Sequence, residues 1–195
     1  MTYAILLILW TLAPIKMSLQ SSFGKKSVKN TADALYFNGL MFLFTSLVFM
    51  FTLPGCPWQV WAYGIVSAAF SVAFQILYIR ALSMGNVSLT ALIVNMSMVI
   101  NVIASYIFFG DSISPLRLWG IILTVVTFFL CTNFKNTTKS EKLWGYVAIS
   151  AMLTNAIAAF SQKFFAVSEF SSYNLEFTSC SYFSAAVMAF IVYYI

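Results

Sequence analysis

The sequence of 195 residues contains no histidine. That excludes a histidine-ligated metal, a histidine-based triad and a histidine proton relay. Charge is scarce as well. Asp, Glu, Lys and Arg make up 8% of the chain, against about 25% in soluble domains. Cys56, Cys131 and Cys180 are odd in number, far apart and free of any CxxC spacing. A disulfide framework or a zinc site does not follow from that pattern, and no cofactor is expected.

What fills the chain is apolar. Hydrophobic residues reach 62% and aromatics 18%, and the mean hydropathy is +0.92. This composition excludes a disordered chain, a secreted disulfide scaffold and a nucleic-acid-binding domain. The net charge of +5 is spread in small groups, which in a membrane protein reads as topology signal. The fold class expected is all-α integral membrane, a polytopic helical bundle.

A helix needs about 20 apolar residues to cross the hydrocarbon core, and about seven segments qualify. They run roughly over 3–20, 34–53, 58–81, 88–109, 116–134, 143–165 and from 176 to the end. The first has neither a positive start nor a clear small-x-small cleavage site, so it reads as a span and not a signal peptide. Connections are short, and none holds a soluble catalytic domain. Lys25, Lys26 and Lys29, then Arg80, then Lys135, Lys139 and Lys142 fall on odd-numbered connections. By the positive-inside rule those connections are cytoplasmic and Met1 lies outside.

From Ile79 onward the residues resemble the drug/metabolite transporter superfamily, in its EamA-like branch. Ala81-Leu82 close the third segment, Ser88 and Ala91 open the fourth, Gly110-Asp111 and Ser114 form a turn, and Gly120 lies early in the fifth. Asp111 stands where the family usually has Glu, and Ser97-Met98 stand where a proline is common. The resemblance implies a transporter of about ten helices in two inverted five-helix repeats. It also implies a cytoplasmic N-terminus, against the loop charges. Residues 1–134 would be the first repeat, 135–142 a linker and 143–195 an incomplete start of the second. The chain then reads as an N-terminal fragment. Laying Thr11 over Thr154 also brings Ala13 to Ala156, Ser18 to Ser161 and Asp33 to Glu176, which is consistent with such a repeat.

Polar groups inside spans are costly and mark pathways or helix–helix contacts. Lys16 lies late in the first segment, as an anion contact or a snorkelling side chain. Lys163 is placed similarly in the sixth and reads mainly as snorkelling. Gly64, Ser67, Ser71, Gln75 and Tyr78 share one face of the third segment. The small members suit close helix approach, while Gln75 and Tyr78 suit a cavity wall or interhelical hydrogen bonds. Asn95 and Asn101 in the fourth, and Asn155 and Gln162 in the sixth, add amides. Trp10 and Tyr63 offer aromatic walls. Trp58, Trp61, Trp119 and Trp144 sit at segment starts and read as interfacial anchors. The expected substrate site is therefore Trp10, Lys16, Gln75, Tyr78, Asn95, Asn101, Asn155 and Gln162, between the first, third, fourth and sixth segments.

Nothing in the sequence resembles an enzyme site, and no Asp or Glu lies midspan. The expected function is secondary transport of small metabolites, amino acids or drug-like solutes by alternating access. A non-transporting membrane interaction or assembly protein and a lipid-modifying enzyme are the rival readings. Expected partners are a small solute and membrane lipids, with no nucleic acid, and a homodimer is compatible with the pattern. The expected location is a bacterial cytoplasmic membrane.

Overall fold

The computed structural model describes residues 31–49, 56–131 and 139–194. The described residues form α1 (Thr31–Phe49), α2 (Trp58–Met84), α3 (Val87–Asn95), α4 (Ser97–Phe109), α5 (Pro115–Cys131), α6 (Lys139–Val167), a 3₁₀ turn (Ser171–Tyr173) and α7 (Asn174–Tyr194). Four stretches are long and apolar enough to cross a membrane: Trp58–Met84, Val87–Phe109, Lys142–Val167 and Ser171–Tyr194. Apolar parts of α1 and α5, Leu35–Leu47 and Pro115–Phe128, are shorter. The first hydrophobic segment lies outside the described residues. α6 begins at Lys139, inside the stretch read from the sequence as a linker.

α2 is the central helix. It packs along α6 on one side and α7 on the other, and α1 lies mainly against α7. Without a hydrophobic drive between helices in lipid, close approach depends on small residues. The contact faces follow that rule. Ala148, Ala151 and Ala158 of α6 and Ser184, Ala185, Ala186 and Ala189 of α7 are all buried. At Gly64 a Cβ would stand 3.1 Å from the Cβ of Cys180, so α2 and α7 meet almost backbone to backbone. Larger side chains fill the ends of the seams. Phe165 and Phe177 stack with centroids 4.0 Å apart, joining α6 to α7 beside Val60.

The fourth hydrophobic segment is not one straight helix. It breaks at Met96, whose N–H is shared between the carbonyls of Leu92 and Ile93, a local tightening toward 3₁₀ geometry. Neither proline nor glycine occupies the break. Instead, the Ser97 hydroxyl accepts a 2.8 Å hydrogen bond from Asn155 Nδ2 of α6, at the first residue of α4. A neighbouring helix thus binds the chain where its own ladder is interrupted.

The ends are capped by local chemistry. Asn86 Oδ1 accepts from the N–H groups of Ser88 and Leu89 at the start of α3. Gly110 closes α4 with φ 66°, and Asp111 N–H reaches back to the Ser105 carbonyl at 3.5 Å. Gly110 N–H bonds the Tyr106 carbonyl at 3.2 Å, the 5→1 bond of an αL end, for which the left-handed residue is best a glycine. Large apolar side chains on α5 point outward, with Leu116 84% and Leu130 81% exposed. Such exposure suits hydrocarbon and not water.

Candidate functional site

A cavity of ≈ 230 Å³ opens between α1, α2, α6 and α7. α1 contributes Asn38 and Thr45, α2 contributes Ser71 and Gln75, and α6 contributes Asn155 and Gln162. Phe42, Phe74 and Tyr182 supply aromatic surface. The helix period explains the grouping. Ser71 and Gln75 lie one turn apart on the same face of α2, as do Asn38 and Thr45 across two turns of α1.

These polar groups are not equally free. The Thr45 hydroxyl donates to the Met41 carbonyl at 2.8 Å, a common retreat for hydroxyls within helices. Asn155 donates to Ser97. Asn38 is only 3% exposed, yet its Nδ2 has no hydrogen-bond partner among the described residues, and neither has Gln75 Oε1. A buried polar atom left unpaired costs about 1–3 kcal/mol. The two residues that carry these atoms line one cavity.

A second cavity, ≈ 310 Å³, lies against a neighbouring face of α6, between α4, the 110–114 turn and the start of α5. Asn101 and Ser105 of α4, Asp111, Arg117 and Lys163 line it. Asn101 Oδ1 is buried without a partner among the described residues. Lys163 forms an ion pair with Asp111 and lies 5.7 Å from the Phe109 ring centroid. Lys163 thus reaches out of α6 to a carboxylate in the turn after α4, where the ammonium finds a countercharge. Ala159 of α6 borders both cavities.

The expected site residues therefore separate. Gln75, Asn155 and Gln162 come together in the first cavity, and Asn101 lines the second. Tyr78 lines neither: it is buried in a core cluster with Leu82, Val94 and Ala151 and stacks on Phe74 at 5.5 Å. Asn95 is exposed at the end of α3. Trp10 and Lys16 lie outside the described residues. The fourth segment, expected beside the third at one site, instead walls the second cavity, and α1 and α7 take its place at the first. Tyr63 packs edge-on against Phe165 at 5.7 Å, away from the polar cavity.

Trp144 also departs from its expected role. It is half-buried, and its Nε1 donates to Thr90 Oγ1 at 3.0 Å. Its ring lies over Gly85, joining α6 to the α2–α3 connection. Trp58 and Trp119 are exposed at helix starts, as interfacial anchors are. Asn38 was missed in the sequence, although an amide inside the second apolar segment is the kind of signal that marked Asn95 and Asn101.

A bundle of apolar helices, four of them long and apolar enough to cross a membrane, defines an integral membrane protein. The sequence model of the EamA-like transporter family matches residues 3–133. The chain belongs to that family, and so is a membrane transporter of small solutes. Neither a curated protein nor a solved structure gives a significant match.

Proposed function

We propose that the protein is a secondary transporter that moves a small metabolite, amino acid or drug-like solute by alternating access. Two inverted five-helix repeats would rock about a central site, residues 1–134 supplying the first. The amide-lined cavity between α1, α2, α6 and α7 is the substrate site, and the bacterial cytoplasmic membrane is its location. The observation that carries this reading is the convergence of Asn38, Gln75, Asn155 and Gln162 on one cavity in a chain of the EamA-like family.

Uptake of a broad panel of labelled metabolites tests it, in vesicles from cells carrying the complete reading frame. At least one solute should move faster than in control vesicles. Gln75→Leu and Gln162→Leu should each lower that rate about tenfold or more, since each removes a hydrogen-bonding group from the site. Absence of transport for every solute, with the protein inserted and folded, would refute the assignment.

A further inference from the structure

We infer that the first cavity takes an uncharged, flat solute bearing a carbonyl oxygen beside an N–H, such as a carboxamide or lactam ring, and not an ion. This rests on the transporter reading and narrows its substrate class.

Charge is the first argument. No charged side chain lines this cavity among the described residues. Lys163, the nearest cation of α6 in sequence to Gln162, is engaged by Asp111 in the other cavity. An ion entering would lose hydration without a countercharge, which is far costlier than burying a hydrogen-bonded neutral group. Amides instead offer a donor and an acceptor each.

The unpaired atoms are the second argument. Among the described residues, Asn38 Nδ2 is a donor without a partner, and Gln75 Oε1 an acceptor without one. Both atoms are buried, and both residues line the cavity. A turn of each amide about its last side-chain torsion brings Asn38 to a solute carbonyl oxygen and Gln75 to a solute N–H, pairing both. A carboxylate can satisfy only the donor, and an ammonium only the acceptor.

Size and shape are the third. A volume of ≈ 230 Å³ lies at the small end of ligand sites, which run from about 300 to 1,000 Å³, and suits a single six-membered ring with substituents better than a nucleotide or a lipid. Phe42, Phe74 and Tyr182 line the same space, and a flat ring gains contact by lying against aromatic faces.

Matched pairs of neutral amide and acid test the class: nicotinamide against nicotinate, and uracil against orotate. Binding is measured by calorimetry on the purified protein from its complete reading frame. The neutral member of at least one pair should bind, with its acid at least about tenfold weaker. Asn38→Leu and Gln75→Leu should each weaken that binding about tenfold or more, while the melting temperature holds or rises, because each removes an unpaired buried amide. A purely structural amide would not show loss of affinity together with gain of stability.

The inference is overturned if an acid binds as tightly as its amide, if neither amide binds, or if amide binding ignores both substitutions. Uptake of an anion or cation with the amides inert would sink the solute class and leave the transporter reading intact. Binding of an anion lost in Lys16→Met would assign the site to the lysine of the first segment instead. No uptake of any solute would sink the transporter reading itself.

Discussion

Gly85→Ala should damage this protein out of proportion to the single methyl added. A Cβ at Gly85 would stand 2.2 Å from Trp144 Nε1 and 2.4 Å from the next ring carbon. Ordinary contact begins near 3.4 Å, so the ring must retreat by about 1 Å or more. It has little room, because it is half-buried among Ala81, Ile93 and Ala148 and held to Thr90 at 3.0 Å. Retreat breaks that hydrogen bond, which costs about 0.5–1.5 kcal/mol. Overpacking adds about 1–3 kcal/mol. A loss of about 2–4 kcal/mol is therefore expected. By the scaling for soluble domains of this length, that is a fall in melting temperature of roughly 5–15 °C. The assay is thermal aggregation in detergent followed by size-exclusion chromatography, with Trp144→Phe and the double variant alongside. Trp144→Phe removes the indole N–H and shrinks the ring, so the double variant should be more stable than Gly85→Ala plus Trp144→Phe summed. Gly85→Ala melting with the parent protein, or strict additivity in the double variant, would refute the clamp between α6 and the α2–α3 connection.

Two further outcomes follow from side-chain pairs between distant elements. Asp111→Asn and Lys163→Met should each destabilise by about 1 kcal/mol, a modest value because the side chains are 36% and 35% exposed. The double variant should recover most of that loss, and full additivity in a melting series would show that the pair carries no coupling. Cys56 and Cys180 lie with their sulfurs 3.6 Å apart, between the residues just before α2 and the second turn of α7. In a Cys131→Ser background, diamide should oxidise this pair within one chain and abolish maleimide labelling of both thiols, whereas persistent labelling of the folded protein would place the two helix segments farther apart.

Length and hydropathy made the helices readable, because a span of backbone in lipid must satisfy its hydrogen bonds internally and therefore shows as one long apolar run. The same signal blurs detail inside a run. The break at Met96 carries no proline or glycine, so periodicity alone treats 88–109 as one helix. Its partner, Asn155, is 58 residues away. The pairing of Lys163 with Asp111 spans 52 residues and is equally invisible to local reading. Gln75 and Tyr78 share a sequence stripe, yet one faces a cavity and the other a core cluster. A stripe defines a face of a helix, but only the neighbouring helices decide what that face meets.

That distinction bears on how amides are used in this bundle. Ser67 and Ser179 have hydroxyls unpaired among the described residues, but both residues are fully buried and small, on α2 and α7, which pack against each other. There the lost hydrogen bond is offset by the close packing that a small side chain permits. Asn38 and Gln75 have no such compensation, since leucine or methionine would fill the same positions with better contact and no unpaired atom. Asn155 does have one, because its amide closes the interruption in the neighbouring span at Ser97. On the proposed reading, an amide whose polar atom is neither at a tight seam nor bonded to another helix among the described residues takes its partner from the solute. On that ground Asn38 and Gln75, more than Asn155 or Tyr78, are the residues whose loss should change recognition without weakening the fold.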